Sequence, residues 1–112
     1  MIELLRFSNY RKGANFERLV KRLFEAAGAT VFRCAGSKPL DLVVIWPNGV
    51  TDFVECKSYS NLWSTDIKKV AAIAADMNRK VIFANKEGSS ILYRIIGPDG
   101  IEGIWEMPED VD

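Results

Sequence analysis

The sequence has no histidine and only two cysteines among its 112 residues. The absence of imidazole excludes Ser-His-Asp and Cys-His nucleophile pairs, histidine-ligated zinc and histidine phosphotransfer. Cys34 and Cys56 form no C-x-x-C motif, so we expect small buried hydrophobes instead of a metal knuckle or a redox pair. Any acid-base or metal chemistry must therefore use carboxylates and lysines.

Long apolar runs are also missing. No stretch approaches the roughly 18 apolar residues of a membrane helix, and the first ten residues lack the apolar core of a signal peptide. The composition, 48% apolar and 27% charged, is that of an ordinary globular protein, and the length suits one domain over residues 1–112. We therefore expect a cytoplasmic, single-domain protein without a membrane partner.

The formal net charge is zero, but the charges are unevenly placed along the chain. Residues 1–40 have a balance of +5, residues 41–98 a balance of +1, and residues 99–112 contain six acids and no base. A basic body with an acidic tail is compatible with a polyanion partner. A solvated helix face explains the same charges equally well.

The periodicity of apolar residues predicts an α/β fold. Apolar residues recur at helical spacing in two segments, 14–27 and 64–77. Five segments are rich in β-branched and aromatic residues: 30–35, 40–46, 50–58, 80–86 and 90–96. The order αβββαββ predicts a central mixed sheet of about five strands flanked by helices. The acidic, partly apolar segment 97–112 is assigned no element, but part of it is expected to pack on the domain or on a partner.

One acid of the first predicted helix is unusual. Glu17 lies one turn before Val20 and two turns before Phe24, at the edge of the apolar stripe. A lone carboxylate in this position is costly unless a cation or a metal meets it.

The segment 46–50, WPNGV, has the pattern of a three-residue hairpin loop. Such a loop makes Trp46 face Val50 and places Asp41 directly opposite Glu55. Lys57 shares the face of Glu55 because the two are two residues apart on one strand. Asp41, Glu55 and Lys57 should therefore meet, whereas a two-residue loop would turn Asp41 to the wrong face.

Two carboxylates and an ammonium group on one surface suggest a Mg²⁺ or Mn²⁺ site completed by a main-chain carbonyl. Lys57 would orient or deprotonate the attacking water and steady developing charge on a phosphate. A buried or half-buried salt bridge among Asp41, Glu55 and Lys57 is the alternative that spacing alone leaves open.

These residues also resemble a known motif. Pro39-Leu40-Asp41, followed after thirteen residues by Glu55-Cys56-Lys57, resembles the PD-(D/E)XK nuclease motif. The flanking sequence strengthens the likeness, with RKG at 11–13, FERLV at 16–20, Gly28, VFR at 31–33, GS at 36–37 and KS at 57–58. Over about residues 10–86 this order resembles the archaeal-type Holliday junction resolvases, the Hjc family. The chain departs from that pattern at Leu40, in the short region after Ser58 and in its short C-terminal part.

The resemblance implies a restriction-endonuclease-like core and a role for each matching residue. Glu17, Asp41, Glu55 and the main-chain carbonyl of Cys56 would bind Mg²⁺, for which Mn²⁺ can substitute. Lys57 would be the catalytic lysine, and Ser37 would assist near the scissile phosphate. The basic residues expected at the DNA, from the resemblance or from charge, are Arg11, Lys12, Arg33, Lys38, Lys68 and Lys69. For Lys68 and Lys69 a solvated surface position is the alternative.

The implied activity is Mg²⁺-dependent nicking of symmetric strands of a four-way DNA junction by a homodimer. We accordingly expect a nucleoid-associated enzyme of recombination and repair with no small-molecule cofactor. Trp63, Ile104 and Trp105 are candidates for the dimer interface or, equally, for the monomer core. The alternatives are another PD-(D/E)XK endonuclease acting on flaps, ends or duplex in repair, replication or restriction, and a nucleic-acid-binding domain without activity.

Overall fold

The computed structural model describes the backbone of residues 2–59 and 64–108, with their side chains except those of residues 2–10 and Ser37. The helices are α1 (Ile2–Ala26) and α2 (Ser64–Met77), and a short 3₁₀ turn covers Ala35–Ser37. The strands are β1 (Thr30–Arg33), β2 (Leu42–Ile45), β3 (Thr51–Lys57), β4 (Val81–Glu87), β5 (Ser90–Gly97) and β6 (Gly100–Ile104). Neither helix within these described ranges is long and apolar enough to span a membrane.

The six strands form one sheet in which spatial order follows chain order, β1-β2-β3-β4-β5-β6. Only β3 and β4 pair in parallel, and the other neighbours are antiparallel. Parallel neighbours need a long crossover connection, which α2 provides. The predicted mixed sheet flanked by helices is confirmed.

The helices cover opposite faces of this sheet and create two cores. On one face, Phe16, Val20 and Phe24 of α1 pack against Val54 of β3 among other strand residues. On the other face, α2 contributes Val70, Ala71 and Ala74 to a core that includes Val81, Phe83 and Ile96. Since Val54 and Cys56 belong to the α1 side, the alternating residues Glu55 and Lys57 point to the α2 side.

The hairpin between β2 and β3 has the predicted register. Leu42 pairs with Val54 and Ile45 with Thr51, and the Trp46 N–H donates to the Val50 carbonyl at 2.8 Å. Gly49 closes the loop at φ 88°, where a side chain would be strained. The three-residue loop and the register that follows from it are confirmed.

Two elements differ from the sequence-based expectation. Helix α1 begins at Ile2 instead of residue 14 and continues through Gly13, a poor helix former that obscured the pattern. The unassigned tail forms β6, which pairs with β5 through the Gly97↔Gly100 turn. The sequence signal for this hairpin is a Pro-Asp-Gly turn at 98–100 followed by Ile-Glu-Gly-Ile.

The residue after β6 joins the α1-side core. The Trp105 N–H donates to the Tyr93 carbonyl at 2.9 Å, and the indole stacks on Phe24 with a centroid distance of 5.4 Å. The expectation that part of the tail packs on the domain is thus confirmed, since Trp105 packs against the core. Ile104 is 58% exposed, and Trp63 lies outside the described residues.

Trp105→Ala is expected to lower the free energy of unfolding by about 2–3 kcal/mol, because the aromatic contacts with Phe24 and Tyr93 are lost. The neighbouring Ile104→Ala should stay within about 0.5 kcal/mol of wild type because Ile104 is exposed. Urea denaturation followed by circular dichroism measures both. Equal losses for the two variants would contradict the packing of Trp105 in the core.

Candidate active site

The hairpin brings two carboxylates together. Asp41 directly precedes β2, and the hairpin register continued by one residue places it opposite Glu55 of β3. Both residues are buried, each with 7% exposure. The Asp41 carboxylate accepts a hydrogen bond from the Cys56 N–H at 2.8 Å. This bond anchors Asp41 to β3 at the end of the hairpin.

Glu55 is the less well satisfied of the two acids. Its Oε1 atom is buried and has no hydrogen-bond partner in the part of the chain that the structure describes. Burial, followed by the hydrogen bonding and charge of the neighbouring Asp41 carboxyl, raises the pKa of Glu55 to about 8. A buried, unpaired acceptor beside a second acid is a site that favours a cation.

Two lysines face this acid pair. The positive charges of Lys57 on β3 and Lys69 on α2 oppose the rise in the Glu55 pKa. Among residues 2–59 and 64–108, no ion pair joins Lys57 to Asp41 or to Glu55. The salt-bridge alternative is therefore not the arrangement that the structure shows.

A cavity of about 490 Å³ opens above these groups. The charged residues in its walls are Glu17, Lys38, Asp41, Glu55, Lys57 and Lys69. Lys69 thus belongs to the cavity, whereas its neighbour Lys68 is exposed elsewhere on α2. The sequence pattern does not distinguish these two lysines, because the difference between them depends on how α2 docks on the sheet.

A larger cavity of about 910 Å³ lies between α1 and β5 and shares Ser58 with the acidic one. Among the residues that the structure describes, its walls include Phe16, Leu19 and Leu23 and no carboxylate. The greater volume of this cavity is therefore no reason to assign the reaction to it, and the smaller acidic cavity is the candidate active site.

Glu17 is paired with a cationic side chain, as its position at the edge of the apolar stripe predicted. Its Oε1 accepts a hydrogen bond from Arg33 Nε at 2.9 Å, which links α1 to β1. Glu17 lines the acidic cavity, yet no group of three or more metal-ligating side chains is assembled among the described residues. The structure joins Asp41 with Glu55, and Glu17 as a third metal ligand stays a prediction.

The remaining predicted residues lie at different places in the fold. Ser37 lies in the 3₁₀ turn between β1 and β2, but its side chain is outside the described part of the chain. Both cysteines are free, and burial raises the pKa of the Cys56 thiol well above its usual value, so only the main chain of Cys56 suits a hard cation. Arg11 and Lys12 are exposed on α1.

One polar pair was missed by the sequence reasoning. Asn85 is fully buried in β4, pairs with Lys57 across the parallel ladder, and accepts a 2.6 Å hydrogen bond from Arg94 Nη1. A single amide inside the apolar run VIFAN was the available signal. The hydrogen bond between Asn85 and Arg94 therefore stabilises β4 next to Lys57.

The acid pair fits a small divalent cation. Mg²⁺ takes oxygen ligands, usually one or two carboxylates together with several waters. Asp41 and Glu55 supply the carboxylates, and the orphaned Glu55 Oε1 is an acceptor that a cation would satisfy. The donor set contains no nitrogen or deprotonated sulfur ligand that would favour zinc.

Comparison with solved structures shows the fold. The structure of Hjc from Archaeoglobus fulgidus, described as a Holliday junction resolvase from an archaeal hyperthermophile, matches with a TM-score of 0.57. The match covers 79% of this chain and 74% of that chain at 21% sequence identity. The fold is therefore restriction-endonuclease-like, as the sequence resemblance implied.

Comparison of sequences shows the family. The profile of the archaeal Holliday junction resolvase (Hjc) family matches residues 8–95, so the chain belongs to this family. The crossover junction endodeoxyribonuclease Hjc of Methanocaldococcus jannaschii is 38% identical over 88 residues, which cover 75% of this chain. The matched region spans 65% of that relative's length.

Glu55→Gln is expected to stabilise the metal-free protein at about pH 8 by ~1–3 kcal/mol relative to wild type. The folded-state pKa of about 8 exceeds the ordinary value of 4.5, so the contribution of Glu55 to stability is fully present below pH 4.5 and is lost as the pH rises toward 8. Urea denaturation with a chelator at about pH 5 and about pH 8 measures the difference.

Glu87→Gln serves as the control, since Glu87 is an exposed acid at the end of β4 and should leave the pH dependence unchanged. A Glu55→Gln protein whose stability follows the same pH curve as wild type would show that Glu55 is not held protonated by its surroundings.

Proposed function

We propose that this chain is a Mg²⁺-dependent endodeoxyribonuclease that resolves four-way DNA junctions. The observation that carries the proposal is the buried Asp41–Glu55 pair with its orphaned acceptor, next to Lys57 in one cavity. Membership in the resolvase family and the name of the Methanocaldococcus jannaschii relative support the choice of substrate.

Asp41 and Glu55 would hold the cation, with the main-chain carbonyl of Cys56 as a further oxygen ligand. A bound Mg²⁺ lowers the pKa of its water and offsets negative charge on the phosphate. The Cys56 N–H keeps the Asp41 carboxylate in place for this role, because its hydrogen bond fixes one of the two carboxylate oxygens.

Lys57 would supply positive charge at the site. It shares the face of Glu55 and lines the cavity, so its ammonium group can orient the attacking water and stabilise developing negative charge on the phosphate. The water oxygen bonds to phosphorus while the bond to the 3′ oxygen breaks and that oxygen takes a proton. The products are a 5′-phosphate and a 3′-hydroxyl, which a ligase can rejoin.

Symmetric resolution requires two sites. The described part of one chain contains a single Asp41–Glu55 cavity, so paired nicks need a two-fold dimer that presents one cavity to each strand. Ile104, which is 58% exposed on the edge strand β6, is a candidate for such an interface.

Asp41→Asn and Glu55→Gln are each expected to reduce cleavage of a four-way junction in Mg²⁺ by ~10³-fold or more while junction binding stays within about threefold of wild type. The reason is that the amides cannot replace carboxylates as ligands but leave the basic surface intact. Denaturing gels measure cleavage, and mobility shift in a chelator measures binding.

A branched flap and a linear duplex of matched sequence test the substrate class. Junction cleavage should exceed cleavage of both by at least about tenfold, since phosphate contacts follow shape and not sequence. Equal cleavage rates on the three substrates would be consistent with a nuclease but would contradict the resolvase assignment. Retained cutting by either acid variant would remove that residue from the mechanism.

Lys69→Ala is expected to lower the single-turnover cleavage rate by about tenfold, because Lys69 faces the acid pair from α2. Lys68→Ala is the matched control, with the same charge change on the same helix outside the cavity, and its rate should stay within about twofold of wild type. Each variant is measured at saturating DNA so that binding does not enter. Equal cleavage rates for the two variants would show that Lys69 acts no differently from an exposed lysine that contacts phosphate.

A further inference from the structure

Tyr59 is an exposed aromatic residue in the wall of the acidic cavity. It is 43% exposed and belongs to neither of the two cores, whereas Tyr93, which is 8% exposed, packs in the core beneath α1. Among the described residues, Tyr59 is the one aromatic side chain that lines this cavity. Packing inside the domain therefore does not explain why a large ring lies here.

The ring of Tyr59 is attached at two points. Its main chain follows Lys57, the last residue of β3, by two positions. Its hydroxyl donates a 3.4 Å hydrogen bond to Oδ1 of Asp66 in the first turn of α2. Burial raises the pKa of this hydroxyl above its ordinary value, so it stays protonated as a donor at neutral pH. A ring that is held in this way before a ligand arrives loses less conformational entropy on binding.

The walls that contain Tyr59 also carry positive charge. Lys38, Lys57 and Lys69 line the same cavity. In the proposed nuclease, these lysines attract the phosphate that approaches the acid pair. A base is joined to its phosphate through one sugar, so a phosphate held in this cavity brings a base close to the wall that contains Tyr59.

An exposed aromatic ring can bind a base by stacking. Stacking tolerates any sequence, because every base has a π-face. A base within a continuous duplex is covered on both faces by its neighbours. A base at a branch point loses a neighbour where the strands diverge, and it can then offer one face to a ring. Stacking on Tyr59 would therefore distinguish branched DNA from linear duplex without reading sequence.

We propose that Tyr59 is a stacking platform for a branch-point base next to the scissile phosphate. The base lies on the exposed face of the ring while the lysines hold its phosphate at the acidic cavity. Tyr59 is a substrate-binding residue in this scheme and contributes to the preference for branched DNA. The scheme rests on the proposed nuclease function.

The first measurement is DNA affinity by fluorescence anisotropy in a chelator, which prevents cleavage. Tyr59→Leu keeps the apolar volume without the aromatic face and should weaken four-way junction binding at least about fivefold. Tyr59→Phe keeps the ring without the hydroxyl and should stay within about threefold of wild type. Both variants should bind a linear duplex within about twofold of wild type. Wild-type junction affinity in Tyr59→Leu, or an equal loss on the duplex, overturns the proposal.

The second measurement removes the base instead of the ring. Junctions that each carry one abasic nucleotide, at a different position beside the branch point, are titrated with wild type and Tyr59→Leu. At the stacked position, the missing base should weaken wild type at least about threefold and Tyr59→Leu less than about twofold, because only wild type has a stack to lose. A merely structural role of Tyr59 would not depend on which base is missing. Equal effects on both proteins at every position overturn the proposal.

Phe32→Leu is the matched control. Phe32 is a 56% exposed aromatic residue of β1 that is not among the residues lining the acidic cavity, and its variant should bind the junction within about twofold of wild type. Tyr59→Gln, a polar replacement at an exposed position, repeats the test if Tyr59→Leu folds poorly and should show the same loss. Losses of equal size in Phe32→Leu and in the Tyr59 variants overturn the assignment of stacking to Tyr59.

The proposed function and the stacking role fail in different ways. Wild type that neither prefers a junction to a duplex nor cuts DNA in Mg²⁺ would contradict the nuclease proposal and the stacking role with it. Wild type that cuts junctions in Mg²⁺, beside a Tyr59→Leu protein of unchanged junction affinity, would contradict only the role of Tyr59.

Discussion

The burial of two neighbouring acids, Asp41 and Glu55, is the constraint around which the site is arranged. The β2–β3 hairpin holds both carboxylates in one buried place, each with 7% exposure, where water screens them poorly. Three features accompany this burial. The Cys56 N–H donates a hydrogen bond to Asp41, the pKa of Glu55 is raised, and the positive charges of Lys57 and Lys69 lie nearby. At about 1.4 kcal/mol per pKa unit, the rise at Glu55 amounts to a few kcal/mol, a substantial part of a typical domain's stability.

The packing of one helix on each face of the sheet explains how such a pair is supported. Residues on β3 alternate, so Val54 and Cys56 enter the core beneath α1 while Glu55 and Lys57 turn toward α2. The α2 helix therefore brings Lys69 to the acids, and α1 brings Glu17 to the same cavity from its own side. Each helix contributes one charged residue to the cavity wall, and the two charges are of opposite sign.

Local features of the sequence predicted the acid pair, and tertiary docking determined what surrounds it. The loop Trp46-to-Val50 sets a register that can be counted, and with it the meeting of Asp41 and Glu55. No count along the chain distinguishes Lys69 from Lys68, since that depends on how α2 lies on the sheet. Likewise, the position of Glu17 in the apolar stripe indicated a cation partner, but the identity of Arg33 followed from the packing of α1 against β1.

Sheet topology converts the charge pattern of the chain into a pattern in space. Because the strands are ordered as in the sequence, β1 and β6 are the two edges, separated by about 24 Å at ~4.8 Å per strand. Basic Arg33 lies at one edge, and acidic Glu102, paired with Lys80 at 2.8 Å, lies at the other.

That separation exceeds the Debye length of roughly 8 Å at physiological ionic strength, so Glu102 on β6 has little effect on the potential at Arg33 on β1. A chain with zero net charge can nevertheless carry local positive charge at its acid cavity, where Lys38, Lys57 and Lys69 lie. In the proposed nuclease, these lysines would attract the phosphate backbone toward the Asp41–Glu55 pair.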